Sequence, residues 1–145
     1  MDDPAALRGL LEASSDADNP TPGELRDLLA RARRVAVVGM SRHPEKAARR
    51  VPAYLAARGY DVVPVNPSAT RILGRRAYAS LDDVPGPVDL VLVFRPSDQA
   101  GRVVEQALAR PEAPAIWLQT GIRADPEASR ARAAGRLVVQ DLCAY

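Results

Sequence analysis

Cysteine, histidine and lysine occur once each in this chain of 145 residues, as Cys143, His43 and Lys46. A lone thiol permits no internal disulfide and fits a reducing compartment. With one imidazole and one thiol there is no metal-ligand cluster of the common kinds. Any Ser/His/Asp or Cys/His constellation would have to be built on His43, whose loop position reads as exposed. No apolar run approaches the ~20 residues of a membrane-spanning helix, and the acidic, Pro-containing start does not resemble a secretion signal. An excess of either charge is lacking as well. The 20 basic and 18 acidic residues leave a net charge of +2, and the arginines are dispersed, without the stripe that follows a nucleic-acid backbone. These absences predict a cytoplasmic protein that binds neither nucleic acid nor membrane.

What is present centres on Arg34-Val35-Ala36-Val37-Val38-Gly39-Met40-Ser41. A short β-branched run that ends in glycine reads as a buried parallel strand delivering the chain to a ligand. Backbone N–H groups just beyond such a strand can cradle phosphate, and glycine lets a phosphate come close. Lys46 follows a few residues later, alone among 19 arginines. Its compact ammonium suits a phosphate, and chance survival of one surface lysine explains it equally well.

Along the chain, residues 1–20 read as an N-terminal extension, with a peripheral helix at Pro4–Glu12 and a loose connector. Residues 21–145 read as one α/β domain. Thr21-Pro22-Gly23-Glu24 is a capping box with proline in the first turn, and Leu25, Leu28 and Leu29 give its helix an apolar face. Pro52 requires the next helix to begin no earlier than about Ala48, because a proline deeper in a helix loses a hydrogen bond and clashes with the preceding turn. Met40 to Ala47 is therefore a long loop. Further strands are expected at Tyr60–Val65, Val88–Phe94, Ala115–Gln119 and Leu137–Gln140, and a short one at Arg75–Tyr78. Ser97 and Asp125 are read as helix caps and Ser80 as the cap of a brief turn. Alternation of strands and helices predicts a Rossmann-like, doubly wound, mainly parallel sheet of five or six strands flanked by helices.

Ligands of such sheets bind outside the carboxyl ends of the strands, here Gly39-Met40-Ser41, Asn66-Pro67, Phe94-Arg95 and Gln119-Thr120-Gly121. The dinucleotide fingerprint is absent, since Ser41 and Pro44 occupy its later glycine positions. Asn66 stands where a ribose-binding carboxylate would be, and Asp61 lies at the wrong end of its strand. Arg95 either binds an anion or pairs with a carboxylate such as Asp98. Ser41 and Gln119 suit a ligand or local loop bonding alike, Phe94 suits the core, and Cys143 reads as a half-buried small hydrophobe whose thiol can join a thiol-bearing ligand in a mixed disulfide.

With Val-Val-Gly39-Met-Ser41-x-x-Pro44-x-Lys46, Tyr54-Leu55, Gly59-Tyr60, Pro64-Val-Asn66-Pro67, Gly74, Tyr78, Ser80-Leu81, Val88-Asp89, Val93-Phe94-Arg95, Trp117-x-Gln119-x-Gly121 and Asp141-x-Cys143 assembled, the chain resembles the small stand-alone CoA-binding proteins. Their fold is similar to the CoA-binding domain of the succinyl-CoA synthetase alpha subunit. The resemblance implies coenzyme A or an acyl-CoA over the strand ends. Gly39, Met40, Ser41 and Lys46 would meet phosphates, Asn66, Pro67 and Arg71 would border the adenosine, and Phe94, Arg95, Gln119 and Gly121 would line the remaining groove. Ala48 departs from the family, which usually has a helix-capping serine there. The synthetase's phosphorylated histidine has no counterpart, since His43 lies in the loop. A non-catalytic CoA or acyl-CoA module for sensing, carriage or work with an unidentified protein partner is the reading preferred. An NAD(P)-binding redox or sensor protein is the first alternative and an acyl-CoA-processing enzyme the second.

Overall fold

The computed structural model describes residues 4–144. Helices α1 (Pro4–Ala13) and α2 (Pro22–Arg31) precede strand β1 (Arg34–Val38), helix α3 (Ala47–Ala57) and strand β2 (Asp61–Val65). A hairpin of β3 (Arg71–Ile72) and β4 (Arg75–Arg76) and a 3-10 turn at Leu81–Asp83 lead to β5 (Leu90–Val93). Helix α4 (Ser97–Leu108), strand β6 (Ala115–Leu118), helix α5 (Asp125–Ala133) and strand β7 (Val138–Val139) complete the chain.

The sheet is parallel throughout, in the order β2-β1-β5-β6-β7. This is the doubly wound arrangement expected, with five strands. Tyr78 adds one parallel bridge to Val65 on the outer side of β2. The strands are apolar at successive positions because each feeds two cores. Ala36, Val38, Val91, Val93, Ile116 and Leu118 pack with α4 and α5, while Val35, Val37, Leu90, Leu92, Ala115 and Trp117 pack with α1, α2 and α3. Side chains of a strand alternate in direction, so a strand covered on both faces has no polar position to spare. Among the described residues no helix is long and apolar enough to cross a membrane.

Several local expectations shift by a residue or change their reason. Thr21 caps α2 in a full capping box with Glu24. Ser97 is the first residue of α4 rather than its cap, and its Oγ accepts from the Arg123 N–H at 3.1 Å. Asp125 likewise begins α5, where its carboxylate accepts from Arg123 and from Gln140. Ser80 precedes the 3-10 turn but gives it no side-chain cap bond. Asp61 is not simply solvated, since it pairs with Arg75 and lies 3.6 Å from the Arg34 guanidinium.

The connector after α1, expected to be loose, is tied to the far end of the chain. Asn19 Nδ2 donates to the Gln140 carbonyl at 2.9 Å and its Oδ1 accepts from the Gln140 N–H at 2.8 Å. The Ser14 hydroxyl also donates to the Gln140 carbonyl. Asp16 is only 4% exposed and accepts from Gln140 Nε2 and Arg132 Nη2, both at 2.9 Å. Burial pushes its carboxyl group up, and the bonds from Gln140, the Asp18 N–H and Arg132 outweigh that and hold it below the ordinary aspartate range.

A carboxyl group whose value is lowered by folding stabilises the fold above its ordinary pKa near ~4, and that stabilisation disappears as pH falls through the lowered value. Asp16→Asn is therefore expected to lose roughly 1–3 kcal/mol at neutral pH, the usual worth of bonds to a charged group. Urea denaturation would show the loss, and the gap between variant and wild type should close as pH falls below ~4.

Candidate nucleotide-binding site

β1 pairs with β2 on one side and β5 on the other, so the chain leaves the sheet in opposite directions at this point. That is the topological switch point, where the carboxyl ends of neighbouring strands part and open a crevice. A cavity of about 460 Å³ lies there, lined by Gly39, Pro67, Ser80, Arg95, Asp98 and Arg102 over an apolar floor of Val38, Val65, Leu81 and Val103.

Gly39 ends β1 with φ of +86°, and a Cβ on it would lie 3.0 Å from Arg95 Cδ and 3.2 Å from the Phe94 carbonyl carbon. Left-handed backbone and this close approach both demand glycine. The Arg95 guanidinium donates to Gln99, not to Asp98. Phe94 is partly buried against the core with Met40 and Trp117.

The loop after Gly39 is held by an unusual bond. Pro52 has no N–H to give to the Ala48 carbonyl four residues before it, and the Ser41 N–H donates to that carbonyl at 3.0 Å. The Ser41 hydroxyl accepts from the His43 N–H, turning the loop. The Gly39 N–H is used on the Val65 carbonyl. Two of the three N–H groups expected to face phosphate are thus bonded within the fold, because β2 and the proline-disrupted helix offer them acceptors.

The donors left over lie further along. α3 begins at Ala47, one residue before the expectation, and its N-cap Lys46 makes no side-chain cap bond. Ala47 and Ala48 head the helix with no side-chain acceptor for their N–H groups. Its first turn carries no acid but has Arg49 and Arg50. Cations beside the positive end of a helix dipole are unfavourable by a few tenths of a kcal/mol each, roughly, and an anion there is favourable by about 0.3–1 kcal/mol. The cap is missing because Lys46 holds the N-cap position; Ala48, read from the sequence as the place of an absent capping serine, is the second residue of the helix.

Asn66 ties the two strand ends together, its Nδ2 donating to the Met40 carbonyl at 2.8 Å and its Oδ1 accepting from the Ser68 N–H. Arg71 sits on the hairpin and donates to the Gly74 carbonyl, away from the cavity. On β6, Gln119 is 4% exposed; its Oε1 accepts from the Ala144 N–H, and its Nε2 is buried with no partner. An unbonded buried amide costs roughly 1–3 kcal/mol. The Gly121 N–H donates to Asp141, whose carboxyl group is held low by that bond and by those from Ser15. Of the residues named from sequence, the cavity therefore gathers Gly39, Pro67 and Arg95. Met40 is fully buried in the core, Ser41, Lys46 and Asn66 lie on the loops after β1 and β2 without lining the cavity, and Gln119 and Gly121 lie beyond β5. Sequence reasoning missed Arg102, which reaches the cavity from the second turn of α4 and gave no signal beyond its charge.

The family model of the CoA binding domain matches residues 33–145. The chain belongs to the CoA-binding domain family. A curated relative, the uncharacterized protein YneT of Bacillus subtilis, is 38% identical over 125 residues, covering 86% of this chain and 92% of that protein. That alignment is longer than the family match, so the likeness extends upstream of Arg33. A solved structure of a hypothetical protein from Pyrococcus horikoshii is 33% identical with a TM-score of 0.82, covering 90% of this chain and 91% of that one. ADP-forming acetate–CoA ligase II of Archaeoglobus fulgidus is 29% identical over 106 residues, which are 72% of this chain but 16% of the ligase. The match thus spans nearly the whole of YneT and a small part of the ligase.

The loop geometry is open to a direct check. Pro52→Ala restores an N–H that competes for the Ala48 carbonyl, so the Ser41 amide should exchange with solvent at least tenfold faster. Overall stability should change by no more than ~1 kcal/mol, because the helix gains the bond that the loop loses. Gly39→Ala, by contrast, is expected to cost roughly 1–3 kcal/mol in urea denaturation through backbone strain and the contact with Phe94 and Arg95.

Proposed function

We propose that this protein binds coenzyme A or an acyl-CoA across the carboxyl ends of its strands, without catalysis of its own, as a sensor, carrier or partner-dependent module. The observation that carries the reading is the uncapped, cation-flanked start of α3 beside the Gly39 turn, in a chain of the CoA-binding domain family. A phosphate meets backbone N–H groups, a favourable helix dipole and the Lys46 ammonium at one place. The adjoining cavity supports the other end of the molecule. Its apolar floor suits an adenine ring, and on its wall Arg95 and Arg102 outnumber Asp98, which favours a further phosphate. The single free thiol suits a reducing cytoplasm.

The pyridine-nucleotide alternative draws less support. It needs a carboxylate at the end of β2 to hold ribose hydroxyls, and the side chain there is Asn66, with both amide atoms already bonded to the chain.

Isothermal titration of the purified protein with CoA tests the proposal, with NAD and NADPH in parallel. CoA is expected to bind in the micromolar range and the pyridine nucleotides far more weakly. Lys46→Ala should weaken CoA about five-fold, near 1 kcal/mol for a partly solvated charged contact, and added salt should narrow that difference. Absence of CoA binding by folded protein would overturn the reading.

A further inference from the structure

We propose that Cys143 forms a mixed disulfide with the thiol end of the bound coenzyme, by exchange with CoA disulfide. The inference rests on the CoA reading and extends it to the opposite end of the ligand.

Three observations converge on Cys143. First, the tail that carries it is fixed, not frayed. Leu142 and Ala144 are each 3% exposed. The Leu142 carbonyl accepts from Trp117 Nε1 at 2.8 Å, and its N–H donates to the Leu118 carbonyl. Cys143 is held between these anchors, half-buried, at the carboxyl end of β6.

Second, Gln119 is bonded to the residue after Cys143, its Oε1 accepting from the Ala144 N–H, and its Nε2 is buried and unpartnered. A pantetheine arm carries two amide carbonyls, the type of acceptor that a buried amide N–H requires.

Third, the strand order sets the reach. β1, β5 and β6 are consecutive neighbours, so the ends of β1 and β6 lie two strand spacings apart, ~10 Å. Met40, Phe94 and Cys143 border the same core, on the α3 face of the sheet. A nucleotide whose phosphates sit at the start of α3 can therefore extend its arm over Phe94 to Gln119 and Cys143. The extended pantetheine arm is longer than that span.

The chemistry is thiol–disulfide exchange. Cys143 loses its proton to solvent and the thiolate attacks one sulfur of CoA disulfide. A new S–S bond joins Cys143 to one CoA, the original S–S bond breaks, and the leaving CoA thiolate takes a proton from solvent. Cys143 is oxidised and the departing sulfur is reduced, with no other reagent.

The test incubates the full chain with CoA disulfide, and separately with oxidised glutathione at equal concentration, and follows intact mass. A single CoA adduct is expected, released by dithiothreitol and absent in Cys143→Ser. It should form at least tenfold faster than the glutathione adduct and be slowed by adenosine 3′,5′-bisphosphate. Gln119→Met should slow the CoA adduct several-fold and leave the glutathione adduct unchanged, which a merely structural role would not do. Equal rates for the two disulfides, or indifference to the bisphosphate, would overturn the proposal, as would lack of an adduct in protein that binds CoA by titration. In that last case the CoA reading stands, whereas failure of CoA to bind at all removes both.

Discussion

Proline has no hydrogen to donate, and at position 52 that deficit shapes the loop beyond the first strand. A regular helix would close the Ala48 carbonyl upon residue 52; here the carbonyl turns outward and the Ser41 N–H takes it. The bond pins the loop at its start while α3 opens at its other end without a cap. One missing donor thus separates two populations of backbone N–H groups, those spent on the fold and those at the start of α3. The charges around that start are consistent with such a division. Lys46, Arg49 and Arg50 crowd the end of a helix that ordinarily attracts acids.

Much of this was legible in the sequence, because the signals were local. Pro52 alone required a loop longer than a dinucleotide turn, and the apolar runs at Val35–Val38 and Leu90–Val93 announced strands covered on both faces. Of the strand ends named from the sequence, those of β1, β2 and β5 meet at the switch point, and that of β6 lies beyond β5. The inner use of each polar group was not legible. Whether the Asn66 amide faces a ribose or the Met40 carbonyl depends on how closely β1 and β2 end together. The same holds for Ser97, which satisfies an N–H of the loop after β6 instead of its own helix. The connector was least legible of all, since Asn19 and Gln140 are 121 positions apart and neither belongs to a motif.

The abundance of arginine, 19 residues against a single lysine, has a structural use. Arg110 donates to the carbonyls of Leu81, Val84 and Gly86 while pairing with Glu112. Arg136 reaches the carbonyls of Ala107, Leu108 and Pro114 where α4 ends. Arg132 joins Asp16 to the Val138 carbonyl. A planar guanidinium with five donors can bridge separate segments in this way, and a point-like ammonium cannot. The one lysine stands at the start of α3, outside these bridges.

The pairing of Asn19 with Gln140 copies the two bonds that a neighbouring strand would make to that residue. With Ser14 on the same carbonyl and Arg132 on that of Val138, side chains occupy the outer margin of β7. At the opposite margin Tyr78 bonds along β2. An exposed parallel sheet would invite a second molecule to add its own strand and so start a growing stack. Here the segment before α2 takes up backbone groups of Val139's neighbour Gln140 that a second molecule's strand would otherwise use, and Tyr78 does the same at the carboxyl end of β2.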